Sequence, residues 1–135
     1  MFRKFITPVA VTSVLLAATG MATAADRTEV VHFKSGASSA TLSGHFKGYD
    51  VVKYVLDARK GQMIHILFSA NNGACYFNFI SPGESSADFM GETSGNEMSM
   101  RLRKSGKHHA EVYMMRSAAR RNETCKYSIS FEITG

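Results

Sequence analysis

Tryptophan is absent from the 135 residues and cysteine occurs only twice. Without tryptophan, a flat aromatic platform for stacking sugar rings lacks its best residue, which counts against a carbohydrate-binding module. There is no G-x-S-x-G elbow to present a nucleophilic serine. Two cysteines joined to each other would leave no thiol for nucleophilic attack. No C-x-x-C, H-x-x-x-H or acidic calcium loop occurs either. The five histidines are His32, His45, His65, His108 and His109. His108 and His109 are adjacent, so in a strand they point to opposite faces and cannot share one ion. Met98 and Met100 could suggest a copper carrier, but they lie on an alternating apolar face where core packing accounts for them. With these absences no enzyme, cofactor or metal is expected, and a metal or redox carrier would need a His and Met cluster that the strand phases do not provide.

No uninterrupted apolar run approaches the roughly 20 residues of a membrane-spanning helix. The apolar stretch from Phe5 to about Ala18 is broken by Thr7, Pro8, Thr12 and Ser13. It follows the basic pair Arg3-Lys4 and precedes Ala22-Thr23-Ala24, the small-residue pattern that signal peptidase needs. Residues 1–24 therefore read as a cleavable signal peptide, and residues 25–135 as one exported domain, periplasmic and free of the membrane once cut. Loss of Arg3 and Lys4 lowers the formal charge from +5 to +3, since every acidic residue lies after Ala25. That mild excess does not call for nucleic acid, and export argues against it.

What the domain does have is alternation. Cys125, Tyr127, Ile129, Phe131 and Ile133 share one face of a strand, with Lys126, Ser128, Ser130 and Glu132 on the other. Met98, Met100 and Leu102 repeat the pattern, as do Val52, Tyr54 and Leu56, and Cys75, Phe77 and Phe79. Period two with one apolar face is the mark of half-buried antiparallel strands. Turn signals such as Lys47-Gly48, Lys60-Gly61, Asn72-Gly73, Pro82-Gly83 and Ser105-Gly106 punctuate the chain at short intervals. The expected fold is all-β, a single sandwich or barrel of about eight short strands. Only Ser117 to Asn122, with Ala118, Ala119 and Arg120, favours a helical turn.

Cys75 and Cys125 each fall in phase with inward-facing aromatic neighbours. In an oxidising compartment they are expected to form one disulfide across the core. Closing that loop would remove about 4 kcal/mol of unfolded-state entropy. The segment from Tyr113 to Asn122 ends a strand in Arg116, Arg120 and Arg121. Arginine and tyrosine at a loop are the residue types enriched at binding hot spots, and guanidinium forks match carboxylates.

Ser105-Gly106-Lys107, Val112, Arg116, Ala119-Arg120 and Lys126-Tyr127, in this order, resemble the C-terminal half of the periplasmic inhibitors of g-type lysozyme. Lys34-Ser35-Gly36-Ala37-Ser38-Ser39-Ala40, Lys47-Gly48-Tyr49-Asp50 and Lys60-Gly61-Gln62 are similar to that family's earlier turns. The resemblance implies a β-domain that plugs a lysozyme cleft, with lysozyme as the protein partner. It places Tyr49, Ser105, Gly106, Arg116 and Arg120 in the contact. His108 stands where the family often has tyrosine and is expected at the same interface. The cysteine pair is not general to the family. Inhibitors of i-type lysozyme have the same fold and similar loops, so they are the nearest alternative, with a cell-wall-binding β-domain next. The oligomeric state is not set by the sequence, and a homodimer stays open.

Overall fold

The computed structural model describes residues 26–34 and 36–135. The leader expected over residues 1–24 lies outside them. Nine strands are found among the described residues: β1 (Asp26–Val30), β2 (Ser39–Lys47), β3 (Val51–Ala58), β4 (Met63–Ala70), β5 (Cys75–Ile80), β6 (Phe89–Met90), β7 (Glu97–Arg101), β8 (Gly106–Met114) and β9 (Thr124–Thr134). Two short helical segments, α1 (Gly91–Ser94) and α2 (Arg116–Arg120), interrupt them.

The strands form two sheets, ordered β1-β3-β8-β5-β6 and β2-β9-β4-β7. Their inner faces are the faces marked out by alternation. Val52, Tyr54 and Leu56 of β3 are buried, as are Phe77 and Phe79 of β5 and Tyr127, Ile129 and Phe131 of β9. Rings from opposite sheets meet in the middle: Phe68 against Phe77, and Tyr54 against both Tyr127 and Phe131. Burying these large side chains supplies most of the driving force, about 1.5–3 kcal/mol for each one removed from water.

Two features close the sandwich. The Tyr54 and Tyr127 hydroxyls, one from each sheet, lie 2.6 Å apart inside the core. Burial holds both phenols above the ordinary tyrosine range, so they stay neutral and satisfy each other. Tyr127 fits because Gly44 faces it across β2 and β9, and a Cβ there would sit 2.5 Å from the Tyr127 hydroxyl. The second feature is the Cys75–Cys125 disulfide, which joins β5 in one sheet to β9 in the other with a Cα–Cα distance of 6.3 Å. Both cysteines are buried.

His108 departs from expectation. It is wholly enclosed, its ring stacked on Phe79 at 5.7 Å, and it therefore presents nothing to a partner. The cause is strand parity. His108, Ala110, Val112 and Met114 alternate inward along β8, and His109, Glu111 and Tyr113 face out. His108 Nδ1 lies 3.0 Å from the Gly106 carbonyl, which only accepts, so Nδ1 carries the proton. Nε2 is left buried with no partner among the described residues. His108→Phe trades one hydrogen bond for the removal of an unsatisfied nitrogen. Its net effect on stability should stay within about 1 kcal/mol in either direction. Chemical denaturation of the variant checks this, and a loss of several kcal/mol would reject it.

Candidate functional site

At one end of the sandwich, two segments far apart in sequence are locked together. The first is the turn between β2 and β3, Lys47-Gly48-Tyr49-Asp50, closed by the Asp50 N–H on the Lys47 carbonyl at 3.3 Å. The second is α2 with its exit through Asn122. The Gly48 N–H donates to the Glu123 carbonyl at 2.9 Å. A Cβ on Gly48 would lie 2.8 Å from Asn122 Oδ1. Gly48 also has φ +63°, a left-handed conformation that side chains resist. Only glycine lets this turn approach α2 so closely. Gly48→Ala is expected to cost about 1–2 kcal/mol of stability and to push Tyr49 away from α2. Chemical denaturation and NMR contacts of the Tyr49 ring would check the two effects, and a variant unchanged in both would reject the lock.

Helix α2 is anchored by Ala118 and Ala119, both buried, which leaves Arg116, Ser117 and Arg120 exposed. Residues four apart on a helical turn are neighbours, so the two guanidinium groups project from one protrusion. Neither takes part in an ion pair among the described residues. Arg121 behaves differently. It pairs with Glu123 at 2.6 Å, and Glu123 also accepts a hydrogen bond from Asn72 at 3.0 Å. Those bonds, from Asn72 and then Arg121, hold the Glu123 carboxyl below the ordinary range. The arginine cluster thus divides into one structural clamp and two cations that form no ion pair among the described residues.

Tyr49, at 53% exposure, stands beside this protrusion. A groove of about 460 Å³ runs from Tyr49 to Arg116 across Asn78, Glu92 and Tyr113 on the outer face of the larger sheet. The Tyr113 hydroxyl donates to Glu92 at 3.0 Å. Burial, and then the Glu92 carboxylate, raises the Tyr113 phenol above its usual range, so it stays a donor. The disulfide lies directly beneath. Cys75 is opposite Met114 in the β5–β8 ladder, two residues before Arg116, and Cys125 is opposite Phe46 in the β2–β9 ladder, two residues before Gly48.

Ser105 and Gly106 are elsewhere. They begin β8, whereas Arg116 follows its end, and a strand of that length separates them by roughly 30 Å. Of the residues that the resemblance places in one contact, Ser105 and Gly106 therefore lie at the opposite end of β8 from Arg116 and Arg120. Ser105 has a local role there, since its Oγ accepts the Lys60 N–H at 2.8 Å and ties its loop to the Lys60-Gly61 turn. The acidic residues of the intervening loops are also separately engaged. Glu84 pairs with Lys104 and Asp88 with Arg103.

These features define a disulfide-bridged β-sandwich with a cation-bearing protrusion at one end. No family model matches the chain. It is 37% identical over 113 residues to the inhibitor of g-type lysozyme of Escherichia coli K12, covering 82% of this chain and 84% of that one. Among solved structures it resembles Aeromonas hydrophila PliG, a periplasmic inhibitor of g-type lysozyme, with a TM-score of 0.77 and 32% identity, covering 83% of this chain and all of that one. Salmonella Typhimurium PliG, described in the same terms, aligns with a TM-score of 0.66 and 33% identity over 80% of this chain and 98% of its own. The chain belongs to the family of periplasmic inhibitors of g-type lysozyme. These relatives are inhibitor proteins, not enzymes.

Proposed function

We propose that this protein inhibits g-type lysozyme in the periplasm, using the end of the sandwich that carries Tyr49, Arg116 and Arg120. The observation that carries the reading is the pair of exposed arginines that form no ion pair among the described residues, held on one turn and locked to Tyr49 through Gly48. Glycoside hydrolysis by a lysozyme depends on a carboxyl group in a narrow sugar-binding cleft. A guanidinium entering that cleft can bond a carboxylate through two parallel N–H groups, and the protrusion around it displaces the substrate. Tyr49 adds a rigid, amphipathic contact at low entropic cost. Ser105 and Gly106, at the far end, take no part in this contact.

Titrating the purified protein, signal peptide removed, into assays of g-type, c-type and i-type lysozyme tests the reading. Inhibition of the g-type enzyme at near-stoichiometric ratios is the expected result. Selective inhibition of an i-type enzyme would reassign the target. Co-sedimentation with insoluble peptidoglycan and no inhibition of any lysozyme would replace the reading with wall binding.

A further inference from the structure

We propose that Met115 is an oxidation site through which a peroxide-class oxidant weakens the contact with lysozyme. The proposal rests on the reading of the arginine turn as the lysozyme-binding surface. Of the six methionines in the exported domain, Met98 and Met114 are buried and Met63 and Met100 half-buried. Met90 and Met115 are exposed, at 46% and 40%. Met115 alone adjoins an arginine of the protrusion, immediately before Arg116.

Its backbone is fixed although its side chain is free. The Met115 N–H donates to the Ala74 carbonyl at 2.8 Å, and its own carbonyl accepts the Ala119 N–H at 2.9 Å. Adding an oxygen to the sulfur therefore alters the surface without disturbing β8 or α2. Methionine beside arginine is a composition enriched at interface cores, where a flexible thioether adapts to the partner's shape. In the chemical step, a sulfur lone pair attacks one oxygen of hydrogen peroxide and the O–O bond breaks. The departing hydroxide takes up the proton and leaves as water. Sulfur is oxidised by two electrons and peroxide is reduced by two. The product is a polar, chiral sulfoxide, which must be desolvated to enter the same contact.

The test compares wild type, Met115→Leu and Met90→Leu before and after dilute hydrogen peroxide, with the peroxide removed before lysozyme is added. Peptide mapping locates the added oxygen, and circular dichroism melting reports the fold. Treated wild type should carry oxygen at Met115, keep its melting temperature and lose about tenfold in inhibitory affinity. Treated Met115→Leu should inhibit as well as its untreated form, and methionine sulfoxide reductase should restore treated wild type. Treated Met90→Leu should lose inhibition like wild type. Unoxidised Met115, unchanged inhibition by oxidised protein, or equal loss in Met115→Leu would each overturn the proposal while leaving the inhibitor reading intact. Untreated wild type that fails to inhibit would instead remove the reading, and the proposal with it.

Discussion

Replacing Arg116 or Arg120 with alanine should weaken inhibition of g-type lysozyme by at least roughly tenfold, with the circular dichroism spectrum unchanged. The fold should survive because both side chains are exposed and the buried anchors of α2 are Ala118 and Ala119. The loss should be large because truncating one partner of a desolvated charge pair strands the other, a penalty of about 2–5 kcal/mol. The two effects are expected not to add, because both groups project from the same turn. Lys126→Ala provides the control. Lys126 projects from the outer face of β9 and should leave inhibition untouched. If both arginine variants inhibit as wild type does, the binding surface lies elsewhere on the domain.

The second large effect concerns the disulfide. Changing Cys75 and Cys125 together to serine should lower stability by about 2–5 kcal/mol, read as a shift in the urea midpoint. Part of the effect comes from the unfolded chain, which regains the freedom of a 50-residue span. Inhibition should fall as well, even where the variant is folded. The bridge sits under both halves of the site, next to Met114 on one side and Phe46 on the other. Without it the Tyr49 turn and the Arg116 turn still meet through the end of the β2–β9 ladder and the Gly48 N–H bond to Glu123, but lose the covalent tie between the sheets. An unshifted midpoint would show that the bridge adds nothing to stability.

The strand faces were legible because one-sided burial writes itself directly into alternation. Tyr54, Phe77, Ile129 and Phe131 all point inward as the pattern requires, and both cysteines follow the phase of their neighbours. The helical turn at α2 was legible in Ala118 and Ala119. For His108 two signals disagree: the resemblance, in which a tyrosine often stands at this position, implies a contact residue, whereas Ala110 and Val112 set an inward phase that His108 shares. The separation of Ser105 from Arg116 was also implicit, because one unbroken strand cannot bring its two ends together. The partnership of Gly48 with Asn122 was not legible. It arises from strand order, where β2 pairs with β9 across most of the chain, and no local pattern encodes that. The parallel pairing of β1 with β3 is hidden for the same reason. The split of the arginines into free and paired members depends on Glu123 lying within reach of Arg121 alone.

The position of β9 has a consequence for how the domain comes into being. β9, the ninth described strand in chain order, is an interior one, flanked by β2 and β4, so neither neighbour has its main partner until residues 124–134 are in place. Most of the remaining order is non-local as well, a topology that makes folding slow because loops must close before contacts reward them. A nascent chain of this design cannot finish its second sheet early. Disulfide formation shares that dependence, because Cys125 lies on β9 and its bridge to Cys75 of β5 joins the two sheets.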